Sequence, residues 1–394
     1  LHGWAPGLIN TLINLGHSVS ILGQDMDETS MGARFADPLK ARNSGRNLPK
    51  VGLSNHPKRP LSDPTPYFDI EFSRYQDCET CLVVIGDIID RGDHSELNLE
   101  IMRQMQITSP GSLISIIGNH ELWLIENDFD LWSNNEERYR MQGRARVGTT
   151  IYDPIITGHP DLATSMESSF SILQGALGAY LLSQHYSIIE GLDEPSREKF
   201  LQMYRPFFAA VSMNESRIKQ AVLRGGWELH DIGSSLISEI SRLSADTTLL
   251  LPGAYSLVLL NDNLFCHGEI NGLSHEQVCF DLMCEKLNWC GQELSILPVA
   301  LTRGKVNNSP LYYARLTESE DKIADSVNAA KTLFPQAQRY IHGHTVHSKE
   351  PVSLTNNFEL VNLDLGMTPY YRNLWHDEPY NPNVTPYCYN IILG

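Results

Sequence analysis

The sequence predicts an α/β protein: a β-rich frame flanked by helices, with a helical cap inserted into it. Two observations carry the frame. Four short apolar runs share one design, a β-rich stretch that ends in a Gly flanked by polar residues. A hairpin pattern and an alternating strand pattern lie around the last two of them. The third observation concerns the cap, because helical periodicity replaces the strand pattern between the second run and the hairpin.

In chain order, Gln24 to Gln76 comes first, with six prolines (38, 49, 57, 60, 64 and 66) and little periodicity. It reads as a long irregular insertion, open between a lid and a spacer. Cys81-Leu82-Val83-Val84-Ile85 then precedes Gly86-Asp87, and Leu113 to Ile117 precedes Gly118-Asn119-His120-Glu121. Continuous apolar runs of this length read as buried strands. From Leu122 to about Leu243 the pattern is helical: Phe170, Leu173, Leu177 and Leu181 keep one face, as do Ile232, Leu236, Ile240 and Leu243. Leu257 to Leu260, Asn261-Asp262-Asn263 and Leu264 read as a hairpin. Its second strand, Leu264-Phe265-Cys266, ends at His267-Gly268. Arg339-Tyr340-Ile341 ends at His342-Gly343-His344, and Phe358 to Leu363 alternates as a strand with one wet face. The expected organisation is a core of residues 1–122 and 244–394, interrupted by the 24–76 insertion, with a cap over 123–243.

Composition narrows the function classes. With 394 residues, 42% of them hydrophobic and 20% charged, the chain can bury a sizeable core. Lys and Arg number 30 against 47 Asp and Glu, a net charge of −17. That balance speaks against a broad nucleic-acid or anionic-lipid face. No apolar run reaches the roughly 18 residues of a membrane span, and Leu1 to Gly7 does not read as a signal peptide. A start at Leu1 rather than Met reads as a piece of a longer protein. Seven Cys without framework spacing suit a soluble protein in a reducing compartment.

The polar residues at the strand ends carry the chemistry. Asp87, Asn119, His120, His267 and His344 offer carboxylate, amide oxygen and imidazole donors, and His2 adds another near the start. Asp bridges cations well, His suits first-row transition metals, and the Asn carbonyl coordinates without adding charge. A two-metal site is natural for such a set. Beside it in sequence stand Asp90 and Arg91 in Gly86-Asp87-Ile88-Ile89-Asp90-Arg91-Gly92, and Arg315 after Tyr312-Tyr313-Ala314. Cations with guanidinium forks suit a phosphoryl group in transfer.

GDIIDRG, GNHE, CHGE and IHGHT, in that order, resemble the signature of the metal-dependent PPP-type phosphoesterases, the calcineurin-like superfamily. That family opens with Asp-x-His-Gly, and Leu1-His2-Gly3 is similar to its tail, with the Asp falling one position before the chain. The resemblance covers Leu1 to Leu22, Thr80 to Trp123 and Ala254 to Met367. It implies a calcineurin-like β-sandwich flanked by helices, and two divalent metal ions, Mn²⁺ foremost with Fe or Zn accepting the same ligands. It assigns His2, Asp87 and the preceding Asp to one metal, and Asp87, Asn119, His267 and His344 to the other. It makes His120 the acid that protonates the leaving oxygen, oriented by Asp90. Arg91 and Arg315 would bind the phosphate oxygens, assisted by Asn119. The nucleophile would be a metal-bridging hydroxide, so the implied activity is a phosphoprotein phosphatase.

The Ser309-Pro310-Leu311-Tyr312-Tyr313-Ala314-Arg315 segment and the Gly-His-Thr ending resemble the bacterial-type branch, several of whose members prefer phosphotyrosine. The helical insertion after GNHE also resembles the Wip-type effector phosphatases, which an intracellular bacterial pathogen delivers into host cells. The resemblance therefore implies a phosphoprotein substrate, host proteins included, and a bacterial protein of the cytoplasm or of the host cell it enters. A dinucleoside tetraphosphate hydrolase and a catalytically silent binding module stay open as alternatives.

Blander readings apply elsewhere. Most of the fourteen His read as surface or satisfied core residues. His342 and His347 flank His344 and compete with it as ligands. Glu121 and Glu269 read as structural rather than ligating, and Tyr312 and Tyr313 as core packing rather than a pocket mouth. No Cys is followed six positions later by Arg, which excludes the cysteine-dependent phosphatase mechanism.

Overall fold

The computed structural model describes residues 2, 5–21, 24–25, 70–72, 81–89, 95–108, 112–125, 180, 194–195, 198, 249–270, 285–289, 292–301, 310–313, 320–345, 352–355 and 358–364. Helix α1 (Ala5–Asn14) opens the chain. Ala5, Leu8, Ile9 and Leu12 recur at helical spacing and are all buried. It stops at Gly16, whose φ is +86°. The N–H groups of Gly16 and His17 close back on the carbonyls of Ile13 and Leu12 at 2.9 and 3.0 Å.

Strand β1 (Val19–Ile21) pairs antiparallel with β2 (Gln24–Asp25) and with β3 (Ile70–Phe72), a three-stranded sheet with β1 in the middle. Residues 24–25 and 70–72 of the 24–76 segment are therefore strands, where the sequence reads as irregular throughout. A pair of two or three residues is too short to show periodicity, and β1 supplies the pairing instead.

The main sheet holds β4 (Leu82–Ile85), β5 (Leu113–Ile116), β6 (Leu249–Leu260), β7 (Asn263–Cys266), β8 (Glu285–Trp289), β9 (Gln292–Leu301), β10 (Arg339–His342), β11 (Val352–Thr355) and β12 (Phe358–Asn362). The four apolar runs are all strands of it, and the expected hairpin is β6–β7, turned at Asn261 with φ +54°. Helices α2 (Ser95–Thr108), α3 (Asn119–Ile125), α4 (Pro310–Tyr313) and α5 (Glu320–Leu333) flank it. The fold is thus α/β with a mixed sheet. Ile114, Ile116, Tyr255, Val258, Phe265, Ile296, Ile341 and Val361 form one buried cluster across six of its strands. Side chains fasten α2 to the loop after β4 and to β5: Asn98 Nδ2 donates to the Ile88 carbonyl at 3.0 Å and Gln106 Nε2 to that of Leu113 at 2.7 Å.

The register places the strand ends. β9 pairs with β6 along Leu249–Leu251, Tyr255 and Leu257–Leu260. A strand has two hydrogen-bonding edges, so β5, which pairs at Tyr255, and β7, which pairs at Leu257–Leu260, share the other. β5 runs parallel to β6 and β7 antiparallel to it, so their C-terminal ends approach head to head. β4 lies parallel beside β5, with Ile85 opposite Ile116. β10 lies parallel beside β7 and β12 parallel beside β10. Five strands therefore discharge their C-terminal loops into one place.

Residues 123–243 lie outside the described residues apart from the end of α3, Tyr180, Glu194, Pro195 and Glu198, and the apolar faces expected for the cap are among those not described. Among the described residues, no helix is long and apolar enough to cross a membrane.

Candidate metal centre

The loops after β4 and β5 touch at backbone level. A Cβ on Gly86 would lie 2.6 Å from Gly118 Cα and 2.7 Å from His267 Nδ1, and one on Gly118 would strike the Asp87 backbone nitrogen and carboxylate. Glycine at both positions is what lets the loops meet. Gly86 has φ +69°.

Glu121, in the first turn of α3, locks this contact. Its Oε2 accepts the backbone N–H groups of Asp87 and Gly118, each at 2.9 Å, and its Oε1 those of Ile88 and Ile89 at 2.7 and 3.1 Å. One buried carboxylate thus satisfies donors from both loops. Burial and the Asp87 charge push its pKa up, and the N–H bonds from Ile89 and Gly118 work against that rise. The structural reading of Glu121 agrees with this geometry.

Asp87 stands at the centre. Its Oδ1 lies 3.2 Å from His267 Nε2, and its Oδ2 lies 3.4 Å from His2 Nε2 and 4.0 Å from His120 Nε2. Burial alone would raise the Asp87 pKa, yet His267, His120 and His2 together hold it well below the ordinary value. Two groups of potential ligands result, His2–Asp87–His120 and Asp87–His267–His344, with all ligand atoms of a group within 4.8 Å of one another. Asp87 belongs to both. His2, Asp87 and His344 have φ of +47°, +48° and +63°, and Asn261 in the hairpin turn is the other non-glycine described with positive φ. Left-handed backbone at three buried donors is local strain concentrated on the site.

His267 shows what the arrangement accepts. Its Nδ1 lies 2.8 Å from the Ile85 carbonyl, an acceptor only, so Nδ1 carries the proton of the neutral ring. Its Nε2 lone pair then faces Asn119 Oδ1 at 3.1 Å, Asp87 Oδ1 at 3.2 Å and His344 Nδ1 at 3.2 Å. Asn119 Oδ1 and Asp87 Oδ1 are acceptors, so lone pairs converging in this way favour a positive charge among them. A proton serves one of them at a time, whereas a cation about 2.0–2.2 Å from each donor puts neighbouring donors about 3.0–3.5 Å apart. Burial disfavours the His267 imidazolium, but the Asp87 charge and its hydrogen bonds outweigh this and raise the pKa. The residues fit a metal ion, and mixed imidazole and oxygen donors suit a first-row transition metal.

Of the expected site residues, His2, Asp87, Asn119, His120, His267 and His344 are brought together. His120 stands inside the His2–Asp87–His120 group, with its backbone N–H 3.4 Å from Asp87 Oδ1. Asp90, Arg91, Arg315 and His347 lie outside the described residues. His342 is buried at the end of β10 with Nδ1 3.1 Å from the Gly343 carbonyl, and neither ligand group includes it. Tyr312 is buried and hydrogen-bonded to Ser256, in keeping with core packing.

One residue escapes the sequence reading. Asp364, after β12, places Oδ2 3.9 Å from His2 Nε2. Burial works to raise its pKa, but the hydrogen bond and charge of His2 hold it below the carboxylate range. Asp364 does not share the design of the other strand ends, since it follows an alternating strand and Gly366 stands between Leu365 and Met367.

No family model, curated protein or solved structure matches the chain.

Proposed function

We propose that the chain is a metal-dependent phosphoprotein phosphatase that hydrolyses phosphomonoesters, with phosphotyrosine slightly preferred over phosphoserine and phosphothreonine. One observation carries the reading. The ends of β4, β5, β7 and β10 come together where β5 and β7 meet head to head, and with His2 they form two ligand groups that share Asp87. The shared edge of β6 favours, in the same way, the calcineurin-like β-sandwich that the motifs resemble.

In this reading His2 and Asp87 hold one divalent ion, and Asp87, Asn119, His267 and His344 the other, Mn²⁺ being preferred. Such a pair of ions supplies charge neutralisation for a phosphoryl group in transfer. The protein's own groups do the rest. His267 is kept in the right tautomer by the Ile85 carbonyl. Glu121 fixes the loops that carry Asp87 and Asn119. His120 is buried beside the Asp87 carboxylate and gives its proton to the leaving oxygen. Arg91 and Arg315, by the resemblance, would bind the phosphate oxygens. The chain's acidic balance sits poorly with a polyphosphate substrate, which favours phosphoproteins. The likeness of the 123–243 insertion to effector phosphatases extends the reading to host phosphoproteins.

The test is turnover of paired phosphotyrosine and phosphoserine peptides, before metal removal, after it, and after Mn²⁺ is restored. Activity that vanishes and returns with metal, faster on phosphotyrosine, is the expected result. Faster turnover of phosphoserine would overturn the specificity alone. Inactivity on both peptides with metal bound would overturn the phosphatase reading.

A further inference from the structure

We infer that Tyr340 is a positioning residue for His267, its hydroxyl holding the turn that presents the imidazole to the metal, an inference that rests on the metal-dependent reading above. Tyr340 lies in β10, opposite Leu264 of the parallel strand β7. An extended chain would carry Gly268 about 13 Å beyond Leu264, out of reach of a tyrosine side chain. The Tyr340 hydroxyl nevertheless donates to the Gly268 carbonyl at 2.7 Å. The chain therefore folds back after β7, and Tyr340 fastens the point where it returns. Cys266 Sγ lies 3.2 Å from the same hydroxyl oxygen and 3.3 Å from the Gly268 carbonyl. One hydroxyl thus touches the residues on both sides of His267.

Two constraints set where His267 Nε2 points. The Ile85 carbonyl, 2.8 Å from Nδ1, fixes the rotation of the ring. Tyr340 fixes the backbone from which the ring projects, and a supporting partner of this kind tunes a ligating histidine without touching the metal. Tyr340 and Cys266 are both 0% exposed, so water has no access to replace the hydroxyl at the Gly268 carbonyl. The same strand also carries the other imidazole of the group. His344 follows β10 directly, and the Gly343 N–H donates to the His267 carbonyl at 3.0 Å. β10 therefore sets both imidazoles of the Asp87–His267–His344 group, one by its end and the other through Tyr340.

The experiment is a Mn²⁺ binding isotherm by equilibrium dialysis, on the full chain and on Tyr340→Phe, with circular dichroism as the check on folding. Phe keeps the ring and removes one oxygen. The binding step that His344→Ala abolishes identifies the His267-side position. The expected result is two bound ions in the unaltered chain, and that same step weakened about 10–100-fold in Tyr340→Phe with the other unchanged. A tyrosine that only packs the core would lower Tm and leave both steps in place. That outcome, or weakening of the other step alone, would overturn the inference and leave the metal-dependent reading standing. Should Tyr340→Phe not fold, Cys266→Ala is read instead: it keeps the hydroxyl on the Gly268 carbonyl and is expected to bind two ions. Loss of the His267-side ion in a folded Cys266→Ala would overturn the inference. No Mn²⁺ bound by the unaltered chain would overturn both.

Discussion

Glu121 Oε2 accepts the backbone N–H of Asp87 at 2.9 Å, so the residue at the centre of both ligand groups is held by its main chain as well as by its neighbours. The positive φ of Asp87 is thereby stabilised from outside the loop. Glu121→Ala would strand the four donors in a buried place. It is expected to destabilise the fold by about 3–5 kcal/mol. Denaturant unfolding checks this, and a loss under 1 kcal/mol would mean that the loops hold themselves.

Gly118 has no room for a methyl group beside Asp87. Gly118→Ala should force the β4 and β5 loops apart, cost about 1–3 kcal/mol, and weaken metal binding at both positions together. Thermal melts with and without Mn²⁺ read both effects. An unchanged metal-dependent shift in Tm would show that the loop contact is dispensable.

Asp87 serves both groups, whereas His120 serves one. Asp87→Asn should empty both metal positions and abolish turnover. His120→Asn should lower kcat by about 10²–10⁴-fold with metal still bound, as removal of a proton donor does. Metal analysis of the two variants separates the roles, and an emptied His2-side position in His120→Asn would make His120 a ligand rather than an acid.

Cys266 precedes His267 and is buried, and burial pushes its thiol up to about 12, with Glu269 adding to the rise and the Tyr340 hydroxyl opposing it. It should resist alkylation at neutral pH until the chain unfolds, since the thiolate is the reactive form. Peptide-resolved mass spectrometry after native labelling measures this directly, and rapid native labelling of Cys266 would place it at an accessible surface.

Much of this centre can be read in the residues. Asp87, Asn119, His267 and His344 each stand beside a glycine at the end of an apolar run, a local signal. Glu121 and Asp364 are different. The role of Glu121 depends on backbone donors from a loop more than thirty positions earlier, and the place of Asp364 beside His2 on β12 lying parallel to β10. Strand partners are chosen by non-local packing, which a linear pattern does not record. The head-to-head meeting of β5 and β7 is hidden for the same reason, because it exists only on the edge of β6. Residues 24–25 and 70–72 become strands through β1 and are too few to announce it.

That meeting also governs how the chain must assemble. The His267 ring reaches the Ile85 carbonyl across 182 positions of sequence, and neither half of the chain can present the centre alone. Closures this distant are among the slower events of folding. A cation that binds only the closed centre would act as a clasp, stabilising the whole fold by about 2.7 kcal/mol at a hundred times its dissociation constant. It would pin His2, just before α1, and the loops after β7 and β10 to one point. Resistance to proteases, rising with added Mn²⁺ at the start of the chain and at the ends of β7 and β10 together, would report that clasp without any substrate.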